Sequence, residues 1–414
     1  MRTSRYDPRK LEKTFWRLLQ QDFPYFLNGE RRQDELTGAF WLRPRKLGDV
    51  DQLEQLIAVE TLQDPSVSLE EALESTPAAF VPTRPVNQLL AVKCSLLADG
   101  TLVVGVNVDH CLLDATGLFL FMRQWGLHYR CLASSTHSGI THDRSQLIQS
   151  NDDQQHTPFE STLLHPEYKR VDRLSIQQLL PASKSSSKGA TTQRIFHFSP
   201  MDLRLLKKFA ARGEAAPTFS TLDCVTALLT WLITRSRGHN QPVQVSTAVN
   251  VRRLLDPPLP EKFTGNAVFP ALSTHPAPTF QERSSRPSAS VLGEMGQHIR
   301  QSIAKFNDVY IRDAIALLAM HPDPRTLEAA TRFAFGPDLL FSSWRGLGAQ
   351  DVSFGAGPVY VGPPTLPLCD GVVILLEGTR GQSGLDALVF LEDGAMRKLG
   401  GMWEASALSG WEVP

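Results

Sequence analysis

Apolar residues near the start of the chain recur three and four positions apart. Leu11, Phe15, Leu18 and Leu19 share one side of a helix predicted over Leu11–Leu19. The pattern then becomes strand-like. Leu89–Leu97 is a continuous apolar run, Asp99-Gly100 supplies a turn, and Thr101–Val108 returns as a second strand, which together predict a hairpin. The second strand runs directly into Asp109-His110-Cys111-Leu112-Leu113-Asp114, and a helix is predicted from about Ala115 to Tyr129. Further on, Phe196-His197-Phe198 is a short strand, Met201–Arg212 a helix, and a longer apolar helix begins after Ser220 and ends near Gly238. Ser220 or Thr218 can cap it. The last third alternates short apolar runs with Gly and Pro. Val359-Tyr360-Val361, Val372–Leu376 and Leu385–Leu391 are the predicted strands of a mixed sheet.

Two polar stretches interrupt this pattern. Ser134–Thr157 is rich in Ser, His, Asp and Gln and has no periodicity, which predicts a long surface loop. Ser183–Thr192 has the composition of an interdomain linker. At roughly 150 residues per domain, 414 residues are too many for one ordinary core. We therefore expect an N-terminal domain over 1–185, a crossover over 186–200 and a C-terminal domain over 201–414. Mixed sheets flanked by helices make the class α/β.

Composition narrows the function classes. With 42% hydrophobic and 21% charged residues the chain is globular rather than disordered. A formal net charge of -1 supplies no field for nucleic acid or an anionic membrane. The five cysteines lie far apart without a CxxC pair, which argues against a disulfide framework and a zinc site and suits a reducing compartment. The start, MRTSRYDPRK, lacks the apolar stretch of a secretory signal, and no run approaches the roughly 20 apolar residues of a membrane helix. A cytoplasmic monomer is the expectation.

The candidate chemistry is His110 with Asp114. His110 ends an apolar strand, so it can project at a sheet rim, and a neutral imidazole is suited to removing a proton near pH 7. Asp114 opens the next helix. A carboxylate there accepts backbone N–H groups and meets the positive end of the helix dipole, so it can fix the loop that aims His110. Taken alone, HxxxD is weak in a chain with eleven histidines, and a histidine after a strand is often structural.

Four ordered segments make it specific. They are Asn107–Ala115 around HxxxD; Thr218–Ala227 with Trp231 beyond; Asn250-Val251-Arg252-Arg253-Leu254-Leu255-Asp256-Pro257-Pro258-Leu259-Pro260 with Gly265-Asn266-Ala267; and Ser343-Trp344 through Ser353-Phe354-Gly355-Ala356-Gly357-Pro358. In this order they resemble the BAHD acyltransferases, which carry "HxxxD", "STFD-V-TA--W", "N-R-R-NPPLP…GN" and "SW…DFGWGKP". The stretch Asp370–Gly378 continues the pattern.

The resemblance implies a fold of two chloramphenicol-acetyltransferase-like domains of similar size, with the active-site channel between them. It implies transfer of an acyl group, acetyl by default, from a CoA thioester to a hydroxyl, less readily an amine, of a small secondary metabolite. His110 would be the general base. Asp114 would support it structurally, paired with an arginine for which Arg252 is the candidate; the alternative for Arg252 is a solvated surface residue. Phe354, Gly355 and Gly357 would be structural. Acyl-CoA would be a co-substrate, with no bound cofactor and no metal. Its phosphates need local partners, and the helix beginning at Ser220 and Thr221 offers free N–H groups; the alternative there is a simple helix cap.

The sequence departs from the family in two places. Ser353 and Ala356 stand where the family has Asp and Trp, which makes the chain closer to fungal secondary-metabolism members than to plant ones. It also lacks the family's strand before the first helix. Two other functions remain open. Condensation domains that take a carrier-bound acyl group resemble HHxxxDG, but Asp109 and Ala115 occupy the flanking positions here. A ligand-binding relative without activity is the other, favoured by the altered loop and opposed by the intact His110 and Asp114. His137, His142, His156 and His165 have no compact metal-ligand spacing. Cys111 is poorly placed to pair with its neighbour His110, because adjacent strand residues face opposite sides. Phe119, Phe121 and Trp125 are expected in the core.

Overall fold

The structure is a computed structural model that describes residues 6–34, 40–44, 56–64, 77–85, 88–132, 138–148, 165–170, 190–212, 219–282, 284, 286–321, 323, 326–363, 369–378 and 383–405. Its contacts divide the chain into two compact units. The first comprises Met1–Arg144, Pro260–Asn266 and Gly346–Pro358; the second comprises Ser145–Leu259, Ala267–Arg345 and Val359–Pro414.

The first unit opens with α1 (Pro8–Gln21), capped by Asp7 and started by a proline whose missing N–H is not needed there. Leu11, Phe15, Leu18 and Leu19 are all fully buried on its inner face, as their spacing predicts. The short α2 (Tyr25–Asn28) leads into β1 (Gly29–Gln33), which pairs antiparallel with β2 (Phe40–Pro44). The expected hairpin is present as β4 (Leu90–Leu96) and β5 (Leu102–Val108), with β3 (Ile57–Thr61) parallel to β4 on its other side. The helix α3 spans Ala115–Tyr129 and packs on α1. Its Phe119, Phe121 and Trp125 are buried, and Phe15 meets Trp125 edge-on at 5.2 Å.

The second unit is built on a six-stranded mixed sheet. After α4 (Ser145–Ile148) and β6 (Tyr168–Arg170), the chain enters β7 (Thr191–Phe198), α5 (Pro200–Ala210) and α6 (Thr221–Arg237). Next come β8 (Val243–Asn250), β9 (Val268–His275), α7 (Ala289–Ala304), α8 (Asp308–Met320), β10 (Leu327–Ala329) and β11 (Leu339–Ser343). The unit ends with β12 (Val372–Glu377), β13 (Leu385–Glu392) and α9 (Asp393–Ala405). The order in the sheet is β7-β13-β12-β11-β8-β9. Only β11 runs parallel to its neighbours, β8 and β12. Apolar α6 lies in the core of this unit, with Trp231, Leu232 and Ile233 fully buried, and ends on Gly238 in the left-handed conformation at φ 71°.

Several elements differ from expectation. The strand expected at Phe196-His197-Phe198 begins at Thr191, inside the segment expected as a crossover, because Thr191–Phe198 pairs along its whole length with β13. Val359-Tyr360-Val361 forms no strand. Prolines at 358 and 363 flank it, remove ladder donors and leave Val359 55% exposed. The polar Ser134–Thr157 is described over 138–148 only. There it is not a free loop: His142 places one ring nitrogen 2.6 Å from the Asp22 carbonyl oxygen and the other 2.7 Å from the Thr264 hydroxyl. Burial pushes the His142 pKa down, so a neutral imidazole with one donor and one acceptor makes both bonds. Residues 133–137 and 149–164, with His137 and His156, lie outside the described residues. Among the described residues no helix is long and apolar enough to cross a membrane.

Candidate active site

The HxxxD segment is a turn pinned at both ends. The backbone N–H of Asp109 donates to the Leu89 carbonyl (3.0 Å), which ties the end of β5 to the start of β4. The Asp109 carbonyl accepts from Leu112 N at 2.9 Å. Its buried side chain accepts from Cys111 N (3.1 Å) and pairs with Arg31 at 3.0 Å and Arg84 at 3.8 Å. Leu112 and Leu113 point into the core of the first unit, and Arg144 donates to the Leu112 carbonyl at 3.1 Å. Asp114 is buried as the N-cap of α3, its carboxylate accepting from Gly117 N at 3.0 Å. With two leucines inward and both aspartates held by the scaffold, His110 is left exposed at the apex.

A distant segment completes the turn. A Cβ at Gly117 would lie 2.4 Å from the Thr264 carbonyl oxygen, so a glycine here lets residues 260–266 approach the first turn of α3. Thr264 is fully buried and its backbone N–H donates to Thr141 O at 3.1 Å. Two residues later the Asn266 carboxamide nitrogen donates to the His110 carbonyl (3.1 Å) and lies 3.2 Å from His110 Nδ1. The sequence pattern included Asn266 in a Gly-Asn-Ala segment without a role, and gave Asp109 none either. A buried carboxylate beside two arginines leaves no local periodic signal.

Cys111 is exposed, but partial burial of its sulfur and the neighbouring Asp109 carboxylate push its thiol pKa up. A group held in the thiol form is a poor nucleophile.

Phe354, Gly355 and Gly357 all fall in the first unit. Phe354 is a buried plug, edge-on to Trp125 at 5.0 Å and to Tyr129 at 5.7 Å. Gly355 has φ 108°, a conformation open to glycine, whereas a Cβ at Gly357 would meet only the Gln350 carbonyl oxygen, at 4.0 Å.

In the second unit Arg252 is 5% exposed, so it is not a solvated surface arginine. Asn250 Oδ1 accepts from its backbone N–H (3.2 Å) and its guanidinium (3.3 Å). Ser220 is the N-cap of α6 in a capping box with Asp223, and Thr221 is the first helical residue. The Ser220 hydroxyl accepts from Asp223 N at 3.3 Å and from Arg300 at 2.9 Å. Both acceptor positions are used, so only its O–H remains for a ligand. His165 is fully buried, 2.7 Å from Asp313. Among the described residues no three metal-ligating side chains converge.

A family model described as the Transferase family matches residues 50–405. The chain belongs to this family, the BAHD acyltransferases. Among the curated relatives of this acyltransferase, rice (Oryza sativa subsp. japonica) hydroxycinnamoyltransferase 1 is 27% identical over 75% of the chain and 67% of its own length. Alcohol acyl transferase 1 of Malus domestica is 28% identical over 66% of the chain and 55% of its own length. Such alignments thus span about two thirds of a relative or less. Among solved structures, F. sporotrichioides TRI101, complexed with coenzyme A and T-2, superposes with a TM-score of 0.73. It covers 96% of this chain and 89% of TRI101 at 19% identity, a likeness of fold. These neighbours bear out the chloramphenicol-acetyltransferase-like class.

Proposed function

We propose that this chain moves an acyl group from free acyl-CoA to a hydroxyl of a small molecule, with His110 as the general base. The single observation that carries this is the exposed imidazole on a turn whose other polar side chains are spent on the scaffold. In the proposed reaction, His110 takes the proton as the alcohol oxygen attacks the thioester carbonyl. The tetrahedral intermediate then collapses, the C–S bond breaks, and the proton passes to the departing CoA thiolate, giving ester and free CoA. No enzyme nucleophile is needed, because the thioester is already activated, so the route is sequential. Acetyl is the first donor to test; the hydroxycinnamoyl group in the rice relative's name makes p-coumaroyl-CoA the second.

The test is thiol release from acetyl-CoA and p-coumaroyl-CoA, with a panel of alcohols and amines. Release that depends on an alcohol, with intersecting initial-rate lines, is the expected result. Acyl-CoA binding without release would make the chain a ligand-binding relative, and release only from a carrier-bound acyl group would make it condensation-like. Parallel lines or an acylated Cys111 would replace direct transfer by a covalent route.

The division into a domain over 1–185 carrying His110, a crossover over 186–200 and a domain over 201–414 belongs to the same proposal. So does the pairing of Asp114 with Arg252, which rests on the family resemblance. Asp114→Asn and Arg252→Met should each lower activity and stability, by about 1–3 kcal/mol in stability, and the double variant should cost less than their sum by at least ~0.5 kcal/mol. Additive losses in a denaturant cycle would separate the two residues. Ser220 and Thr221 remain the proposed CoA contacts, through the Ser220 O–H and the N-terminal amides of α6.

A further inference from the structure

Among the described residues, one side chain makes the polar contacts to the His110 ring and carbonyl. Asn266 Nδ2 lies 3.2 Å from His110 Nδ1 and donates to the His110 carbonyl at 3.1 Å. Its backbone is firmly placed: Phe263 and Thr264 are fully buried, Thr264 is bonded to Thr141 and His142, and Gly117 admits the Thr264 carbonyl. The carboxamide's other end is anomalous. Asn266 Oδ1 is buried and has no hydrogen-bond partner among the described residues. An orphaned buried acceptor costs about 1–3 kcal/mol, so a residue chosen for stability alone would not leave one here.

The ring nitrogens explain what such a carboxamide can do. A neutral imidazole has one N–H and one lone pair, and whichever group faces Nδ1 decides where they sit. Asn266 Nδ2 carries two N–H bonds, one donated to the His110 carbonyl and one facing Nδ1, so a single carboxamide nitrogen fixes the ring relative to the turn. A half-turn about Cβ–Cγ would set Oδ1 against the His110 carbonyl oxygen, a second acceptor, so the hydrogen-bond network holds Nδ2 toward the turn.

We propose that Asn266 is the positioning residue of His110, holding the ring and the carbonyl of the turn through one carboxamide nitrogen so that the imidazole meets its substrate in a single orientation. This deepens the proposed function and rests on it. Asn266 touches His110 and acts through it.

Two substitutions separate this role from simple support. Asn266→Asp offers only acceptors to Nδ1, so it fixes the Nδ1–H form and places a negative charge beside the ring. Asn266→Leu keeps the volume and removes both polar ends. Asn266→Leu should lose about 10²-fold in kcat, the cost of a misaligned base, with the acyl-CoA KM within about twofold. Asn266→Asp should stay active, with the acidic limb of its kcat–pH profile moved up by about one unit. The sign follows from the carboxylate. It favours imidazolium, so the basic form appears only at higher pH, and activity recovers as pH rises. Both profiles are read on protein that retains the wild-type unfolding midpoint to within a few degrees. A wild-type kcat in Asn266→Leu, or equal losses in both variants with an unmoved limb, overturns the assignment. His110→Ala, run alongside, tells the failures apart. Full turnover there removes the base itself, whereas a loss there with an unchanged Asn266→Leu removes only the positioning role.

Discussion

His110→Ala is expected to lower kcat by about 10²–10⁴-fold, the usual contribution of a positioned general base, while the fold stays intact. The side chain is exposed, and the turn beneath it is held by Asp109, Leu112, Leu113 and Asp114 rather than by the imidazole. Removing the ring therefore makes no core cavity and leaves no buried ion unpaired. The loss should fall in kcat and kcat/KM together with the KM for acyl-CoA nearly unchanged, because proton removal is felt in the transition state and not in donor binding. Steady-state kinetics over pH, with a denaturant melt as the control for folding, make the measurement. Turnover close to wild type would sink the assignment of His110 as base.

The parts of this site that were legible in the sequence are local. The β5 strand, the HxxxD turn and α3 follow one another directly, so a local reading of the apolar strand and the segment after it placed both β5 and α3. The Ser220 cap was legible for the same reason, since a capping box spans four residues. What was not legible lies far apart along the chain. Asn266 and His110 are 156 positions apart, and no periodicity joins them. The polar composition of residues 138–144 suggested solvent, yet His142 is drawn in because Asp22 and Thr264 supply hydrogen bonds that composition cannot reveal. Val359-Tyr360-Val361 shows the converse: β-branched residues suggest a strand, but a strand needs a partner, and flanking prolines deny it one. The Ser353–Gly357 segment lies late in the chain but packs on α3, through aromatic contacts that only the fold brings together.

That segment carries the second large effect. Phe354→Ala should lower unfolding stability by about 3–5 kcal/mol, the range for emptying a buried phenylalanine site. Phe354 is 8% exposed and meets two rings of α3 edge-on, Trp125 with an interplanar angle of 87° and Tyr129 with 65°. The approach is close because Gly126 has no Cβ; one there would lie 2.4 Å from the Ser353 carbonyl oxygen. Collapse onto the cavity is thus resisted on one side by helix backbone, which keeps the cost toward the upper part of the range. The segment's other ties are weak. Arg123 reaches Asp351 at 3.6 Å, an exposed pair worth at most about 1 kcal/mol, and Ser353 Oγ accepts one backbone N–H from Gly355 at 3.3 Å. Ser353 and Ala356 replace the family's Asp and Trp, and the aromatic plug of Phe354 on Trp125 and Tyr129 is the apolar anchor of the segment. Ala356→Trp, by contrast, adds a ring at a half-buried position and should change stability by no more than about 1 kcal/mol. The two variants are compared by denaturant midpoint at a common slope. If Phe354→Ala unfolded at the wild-type midpoint, the plug would not be what anchors residues 353–357 to α3.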